Sequence, residues 1–144
     1  MNKWDKRFLN MAKLVASWSK DPSTQCGAVI VDPNNRLISV GFNGFPQGVL
    51  DFQSRLENRE EKLKLMVHAE ANALLFSRQS VKGCTMYTWP MMMCSHCAAL
   101  AIQAGIKLHV SIKSDNERWK ESFIATETML NEADVGLRLY GALE

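Results

Sequence analysis

The residues of this sequence that are best suited to chemistry lie in two short clusters. The first is His68-Ala-Glu70, and the second is Cys94-Ser-His-Cys97. One imidazole and two thiolates are ligands that zinc prefers, and catalytic zinc sites use three protein ligands and leave a fourth position for water. The sequence therefore predicts one Zn²⁺ per chain, bound by His68, Cys94 and Cys97.

Glu70 is the predicted proton carrier of this site. Zinc lowers the pKa of a bound water from about 15.7 to about 7, which supplies a nucleophile at neutral pH. A carboxylate beside that water can take its proton and pass it on, which is worth about 10²–10⁴ in rate. The alternative is a solvated carboxylate near a helix start, where the helix dipole also favours negative charge.

The spacing of the two cysteines supports the same prediction. Cys94 and Cys97 stand at positions i and i+3, so they face one side of a helix in its first turn. The N-terminus of a helix favours thiolate over thiol, and two thiolates balance the charge of Zn²⁺ when His68 is neutral. The alternative is a pair of ordinary cysteines on a buried helix.

The remaining histidines and cysteines are predicted to be structural. His96 lies between the two cysteines, where helical geometry turns it away from the metal-binding side. His109 falls in an apolar strand. Cys26 and Cys84 flank predicted strands and are expected to pack as small apolar side chains.

Helices and strands alternate around these clusters. Apolar periodicity and turn residues predict a helix over 4–18, a hairpin of strands 26–32 and 37–40, and a loop over 41–46. The remaining predictions are helices over 53–65, 68–78, 94–104 and 117–131 and strands over 85–89, 107–112 and 135–140. A hairpin followed by β-α alternation predicts a mixed sheet with helices on both faces.

Composition limits the class of protein. The 144 residues predict a single domain spanning 1–144, and 47% of them are hydrophobic, which is enough for a core. The net charge of +2 without a basic cluster argues against a nucleic-acid partner. Charged residues interrupt the N-terminal segment, and no stretch has the length of a membrane span. These features predict no membrane association and a reducing, cytoplasmic location.

Several strings in the sequence resemble one family. The His-x-Glu and Cys-x-x-Cys order is the signature of zinc nucleobase deaminases. Longer strings closely resemble the deoxycytidylate (dCMP) deaminases over residues 4 to about 112. They are Ser-Lys-Asp-Pro-Ser-Thr at 19–24, Gly-Phe-Asn-Gly at 41–44, His-Ala-Glu-Ala-Asn-Ala at 68–73, Val-Lys-Gly-Cys-Thr-Met-Tyr at 81–87 and Ile-Gln-Ala-Gly-Ile-Lys at 102–107.

This resemblance implies a fold and an activity. The fold is a three-layer α/β/α, cytidine-deaminase-like fold with a mixed five-stranded sheet. The activity is hydrolysis of dCMP to dUMP and ammonia. The resemblance also implies a homo-oligomer, with a hexamer favoured, that is activated by dCTP and inhibited by dTTP, with Mg²⁺ accompanying the bound triphosphate.

The resemblance also implies nucleotide-binding residues. Asn43 and its neighbours Gly41 and Gly44 are expected to contact substrate or effector, although Asn43 could instead support only a turn. A 5′-phosphate requires cations or helix N-termini. The candidate cations are Lys20, Arg55 and Arg59, each of which could equally be a solvated surface charge.

Two features depart from the family pattern. The family has proline directly before the first zinc cysteine, whereas here Met93 occupies that position and the proline is Pro90. The run Met91-Met92-Met93 is either a flexible apolar wall beside the base or core filling. Residues 45–67 contain no Cys or His, so the second zinc of some viral members is not expected.

Two other functions stay open at this level. The first is deamination of another cytidine or adenosine substrate, either a free nucleoside or a base in tRNA. The second is a non-catalytic, zinc-stabilised nucleotide-binding module, although closed structural zinc sites normally hold four protein ligands.

Overall fold

The computed structural model describes residues 1–143, in which six α-helices surround one five-stranded sheet. In chain order the elements are α1 (Lys3–Ala16), β1 (Gly27–Val31), β2 (Leu37–Phe42), α2 (Gln53–Glu57), α3 (Arg59–Leu65), α4 (Ala69–Phe76), β3 (Thr85–Trp89), α5 (Ser95–Ala104), β4 (Leu108–Ile112), a 3₁₀ turn (Glu117–Trp119), α6 (Lys120–Glu132) and β5 (Gly136–Tyr140). None of the helices described is long and apolar enough to cross a membrane.

The sheet is mixed, as predicted. Its strand order is β2-β1-β3-β4-β5, with β1 antiparallel to both β2 and β3. The pairs β3/β4 and β4/β5 are parallel. The predicted hairpin is therefore confirmed, and the helices α5 and α6 are the crossover connections that parallel strands require.

The two faces of the sheet carry separate cores. Strand β1 is buried throughout, and its side chains alternate between the faces. Ala28 and Ile30 pack in the core beneath α4, α5 and α6. Val29 and Val31 pack in the core beneath α1. Because helices cover both faces, the molecule has three layers, with α4 and α5 side by side on one of them.

Gly41 corrects one sequence-based expectation. The loop predicted over 41–46 starts later, because Gly41 pairs with Ala28 inside strand β2, which continues to Phe42. A Cβ atom on Gly41 would lie 2.3 Å from the carbonyl oxygen of Ala69 and 2.4 Å from the amide nitrogen of Ala73. Glycine at this position therefore lets α4 approach the sheet closely, rather than serving a tight turn.

Helix boundaries differ from the sequence pattern where a polar residue caps a helix. The helix predicted over 53–65 is two helices, because Asn58 is extended and its side chain accepts from the Glu61 amide at the start of α3. The predicted 68–78 helix starts one residue later, with His68 as N-cap, and ends at Phe76. The predicted 117–131 helix begins with the 3₁₀ turn, capped by Asn116.

Candidate active site

Three predicted ligands meet where two helices begin. His68 is the N-cap residue of α4, and Cys94 is the N-cap residue of α5. Cys97 lies in the first turn of α5, and its amide donates to the Cys94 sulfur at 3.5 Å. The three ligand atoms lie within 4.8 Å of one another. Both helix N-termini thus face the same point, which favours thiolates there.

The spacing of these atoms fits a zinc ion. The His68 Nδ1 atom lies 3.3 Å from Cys94 Sγ and 3.4 Å from Cys97 Sγ. Zinc–nitrogen and zinc–sulfur bonds of about 2.1 and 2.3 Å at a tetrahedral angle place such atoms about 3.6 Å apart. One imidazole and two sulfurs therefore form an open, three-ligand site. His96 is exposed, so the helix turns it away as predicted.

Hydrogen bonding favours the thiolate form of one of the two sulfurs. Cys94 accepts from Cys97 and from His68, and these bonds hold the pKa of Cys94 well below its usual value. The same contact with Cys94 raises the pKa of the His68 imidazole. The hydrogen bond to Cys94 also raises the pKa of the Cys97 thiol. Of the two sulfurs, Cys94 is therefore the one whose thiolate form the contacts within the cluster favour.

Glu70 is the carboxylate closest in sequence to this cluster, and it is buried in the first turn of α4. Burial raises the pKa of Glu70 to about 7, while the nearby His68 acts in the opposite direction. A group that titrates near neutral pH can both accept and return a proton, which is what general acid–base catalysis requires. The structure therefore places a buried carboxyl group that titrates near neutral pH beside the three side chains that could hold a metal.

A cavity of about 80 Å³ opens directly onto these residues. Trp89, Trp119 and Phe123 give it aromatic walls, and the Trp119 ring stands at 85° to the His68 imidazole, with centroids 6.3 Å apart. The other lining residues are Asp21, Ser23, Thr24, Cys26, Asn43, Arg59, Lys62, Leu63, Met66, His68, Ala69, Glu70, Met91, Met92, Cys94 and Arg118.

The methionine run has two roles, so both of its interpretations are partly right. Met91 and Met92 line the cavity with flexible apolar side chains. Met93 is fully buried in the core beneath α4 and α5. Of the two other cysteines, Cys84 lies in that core, whereas Cys26 packs against the core and also reaches the cavity.

Comparisons with known proteins agree with this site. The family model for the cytidine and deoxycytidylate deaminase zinc-binding region matches residues 2–113. The chain belongs to this family. It is 44% identical over 138 residues to an uncharacterized deaminase of Aliivibrio fischeri, covering 94% of this chain and 92% of that relative. It is 38% identical over 143 residues to the deoxycytidylate deaminase of Homo sapiens, covering 95% of this chain and 79% of that protein.

The fold of this deaminase chain agrees with a solved family structure. The crystal structure of the dCMP deaminase from cyanophage S-TIM5 superposes with a TM-score of 0.72 at 22% identity, covering 96% of this chain and 99% of that one. The cytidine-deaminase-like α/β fold expected from the resemblance is confirmed. The chain is a member of a hydrolase family, and its His/Cys/Cys group matches a zinc-binding region.

The predicted nucleotide-binding residues are only partly brought together. Arg59 lines the cavity. Lys20 and Arg55 do not line it. Lys20 pairs with Asp51, and Arg55 pairs with Glu61. Gly41 lies within strand β2, and both backbone groups of Gly44 bond to Val67 just before His68. Gly44 therefore helps to position the chain that leads into His68.

Asn43 lines the cavity, but its amide is occupied. Its Oδ1 accepts from the Cys26 amide at 2.8 Å, and its Nδ2 donates to the Thr24 carbonyl at 3.0 Å and to Asp21 at 3.3 Å. Both donor hydrogens are thus used within the fold. In this arrangement Asn43 joins the end of β2 to the start of β1, which supports the turn interpretation.

Three charged cavity residues were not predicted from the sequence. Arg118 belongs to the 3₁₀ turn, a segment that the pattern had assigned to a plain helix. Asp21 and Lys62 form a buried ion pair on the cavity wall. A signal existed only for Asp21, which lies within one of the family-like strings. Nothing in the spacing of Lys62 separates it from the other charges of its helix.

His109 is structural, as predicted, and also supports the site. It is fully buried, and its Nε2 accepts from the amide of Met93, the residue before Cys94. The other ring nitrogen, Nδ1, must then carry the proton and donate to the Met86 carbonyl, 3.0 Å away. The neutral imidazole therefore fixes the segment that leads into α5.

This role predicts acid sensitivity. Burial lowers the pKa of His109 from 6.5 to about 4. An unfolded chain binds this proton first, so the free energy of unfolding should fall as pH drops from 6.5 towards 4, by about 1.4 kcal/mol per pH unit. We expect His109→Gln, which can keep both hydrogen bonds, to show a shallower loss in urea unfolding between about pH 7 and pH 5. The exposed-site control His96→Gln should follow the wild type, and equal slopes for all three proteins would contradict this role.

Proposed function

We propose that this chain catalyses the zinc-dependent hydrolysis of dCMP to dUMP and ammonia. One observation carries the proposal: three side chains suited to zinc form one cluster, and two of them, His68 and Cys94, line the same cavity as Glu70, a buried carboxyl with a pKa near neutrality. A structural zinc site would normally be closed by a fourth protein ligand. The family membership and the named deoxycytidylate deaminases among its relatives support the same substrate.

In this proposal Glu70 moves every proton of the reaction. Zinc, when bound, supplies a water of lowered pKa. Glu70 would accept a proton from the attacking water as the C4–O bond forms, and it would deliver this proton to N3 of the base. Glu70 then takes the remaining hydroxyl proton and gives it to the amino nitrogen, so the C4–N bond breaks and ammonia leaves. A carboxyl with a pKa of about 7 suits both halves of this cycle.

The walls of the cavity suit a flat base. Trp89, Trp119 and Phe123 approach from different elements, and Met91 and Met92 close the remaining apolar side. The faces of a pyrimidine ring carry no hydrogen-bonding groups, so aromatic and methionine side chains can pack against them. These contacts would hold C4 against the zinc ligands and Glu70.

Two arginines are the best-supported phosphate ligands. Arg59 and Arg118 both line the cavity from different elements, and within residues 1–143 neither forms an ion pair. Lys62 also lines it but is engaged by Asp21. Arg59 and Arg118 are therefore the residues that we propose to bind the 5′-phosphate. Lys20 and Arg55 have no direct role in this proposal. Guanidinium groups suit phosphate because they donate two parallel hydrogen bonds.

Phosphate recognition predicts a preference between substrates. We expect dCMP to be used far better than deoxycytidine, and Arg59→Gln together with Arg118→Gln to reduce kcat/KM for dCMP by about 10-fold or more, since hydrogen bonds to charged groups are worth about 1.5–3 kcal/mol. The control Arg78→Gln changes an exposed arginine outside the cavity and should have no effect. Equal kcat/KM for dCMP and deoxycytidine in the wild type would contradict a phosphate site.

We further propose a homo-oligomer, with a hexamer favoured, in a reducing cytoplasm. The resemblance supports the assembly, and so do three large apolar side chains that are more than half exposed on α4 and α5, namely Leu75, Phe76 and Leu100. Thiolate ligands support the reducing location, because oxidation of Cys94 or Cys97 would remove a zinc ligand. Light scattering on the purified protein would test the assembly, and a monomer would contradict it.

Regulation by triphosphates is proposed on the resemblance alone. We expect dCTP with Mg²⁺ to raise activity at low dCMP and dTTP to lower it, with changes of roughly 5- to 150-fold. Because the amide of Asn43 and the backbone of Gly44 are engaged within the fold, Asn43→Ala should also impair the loop itself. Titration of each triphosphate against the wild type tests the proposal, and a rate that is flat in both would contradict it.

A further inference from the structure

Helix α3 forms one wall of the cavity, although few contacts attach it to the rest of the molecule. Arg59, Leu63 and Met66 from α3 and its C-cap all line the cavity, as their spacing along one helix face allows. The helix is only seven residues long, and helices of this length are unstable without tertiary contacts. Its single buried residue is Lys62.

Lys62 forms an ion pair with a carboxylate that is itself held in place by hydrogen bonds. Its Nζ lies 3.0 Å from Asp21 Oδ1, and only 6% and 7% of the two side chains are exposed. Asp21 is itself held, because Oδ1 accepts from the amides of Ser23 and Thr24 and Oδ2 accepts from Asn43. This ion pair spans 41 positions of the sequence and joins α3 to the segment between α1 and β1.

The other contacts between α3 and the rest of the molecule are weaker than the buried ion pair. Arg55 and Glu61 link it to the short helix α2, but both side chains are at least 30% exposed to solvent, and partly exposed ion pairs contribute little. The backbone pair of Gly44 and Val67 holds the chain after the helix, not the helix itself. A buried pair is different, because removal of one partner leaves an uncompensated charge.

We propose that Lys62 is a positioning residue of the active site: its buried ion pair with Asp21 fixes α3 as the cavity wall and so holds Arg59 at the phosphate. This proposal rests on the proposed function for its kinetic consequence. Loss of the pair should loosen the wall that binds the nucleotide. It should leave α4 in place, because the close approach at Gly41 packs that helix directly on the sheet.

A matched pair of variants on one helix tests this role. Lys62→Met keeps the length of the side chain and removes its charge, whereas Lys64→Met makes the same change at an exposed position of α3. We expect Lys62→Met to raise KM for dCMP by about 10-fold or more and to narrow the preference for dCMP over deoxycytidine, with a smaller change in kcat. Lys64→Met should match the wild type. Identical KM values in the two variants would overturn the proposal.

Hydrogen exchange supplies a readout that does not depend on activity. The amides of Lys62 and Met66 bond to the carbonyls of Asn58 and Lys62, and in the wild type we expect both to be protected by about 100-fold or more. They should lose protection in Lys62→Met and keep it in Lys64→Met. Wild-type exchange at the rate of an unstructured chain would overturn the anchoring role. If the wild type failed to deaminate dCMP while these amides were protected, only the proposed function would fall.

Discussion

Replacement of Glu70 by glutamine is expected to reduce turnover of dCMP by about 10²-fold or more, with zinc content and fold retained. Glutamine has nearly the same shape but cannot accept a proton from water. Glu70 is not one of the three metal ligands, so the ion should stay bound. Steady-state kinetics together with elemental analysis of Glu70→Gln would measure both properties on one sample.

A surface carboxylate provides the control for this change. Glu132 is exposed at the end of α6 and lines neither the active-site cavity nor the metal cluster, so Glu132→Gln should behave as the wild type. If Glu70→Gln turned over dCMP within a few-fold of the wild type, Glu70 would not be the general base. Loss of zinc from the same variant would instead indicate a role in holding the ligands.

Replacement of Cys97 by alanine is expected to remove zinc and activity together. Two ligands would remain, His68 and Cys94, and two protein ligands cannot complete the three-ligand site that catalytic zinc uses. We expect less than about one tenth of the wild-type zinc after dialysis and no measurable ammonia release, since each ligand contributes to a shared binding energy. Replacement of His68 or of Cys94 by alanine is expected to give the same result.

Cys84 offers a matched control among the cysteines. It is buried in the same core but lies outside the metal cluster, so Cys84→Ala should retain its zinc even if its stability falls. Full zinc occupancy in Cys97→Ala would contradict the ligand assignment. Zinc loss in both variants would mean that occupancy reports general instability rather than coordination.

The sequence predicted most of the metal site because its parts are local. Cys94 and Cys97 are three positions apart, so spacing alone places them on one face at the start of α5. His68 and Glu70 lie within two positions of each other at the start of α4, which keeps them close together. The hairpin and the β-α alternation then predicted a mixed sheet. Spacing does not determine which helices become neighbours. The prediction that the two clusters form one site therefore rested on the family-like order of the motifs.

Features that depend on contacts between distant segments could not be predicted in this way. Gly41 lies in a strand, where it pairs with Ala28, and it must be glycine because α4 packs closely above it. No turn pattern encodes this requirement. Lys62 and Asp21 meet across 41 positions, and Arg118 reaches the cavity from a 3₁₀ turn that helical periodicity does not distinguish. The resemblance identified Arg59 among three cations, but only the folded chain separates it from Lys20.

The carboxylate of Asp5 is another feature that depends on contacts between distant segments. It looks like an ordinary charge of an amphipathic helix, yet it is buried and accepts hydrogen bonds from Tyr87, Tyr140 and Arg138. Burial alone would raise the pKa of Asp5, but the bonds from the two tyrosines and the arginine lower it below its usual value. This cluster ties α1 to β3 and β5, and its members are too far apart in sequence for any periodicity to reveal them.

The central claim is that the zinc-loaded chain deaminates dCMP. Ammonia release should be measured side by side from dCMP, deoxycytidine, CMP and tRNA, with dUMP quantified in the dCMP reaction and Glu70→Gln as the inactive control. We predict equal amounts of dUMP and ammonia from dCMP, a rate on dCMP well above that on each other substrate, and loss of this activity in Glu70→Gln. Faster release from deoxycytidine or tRNA would contradict the assigned substrate, and no release from any of the four by zinc-loaded protein would contradict the enzymatic function.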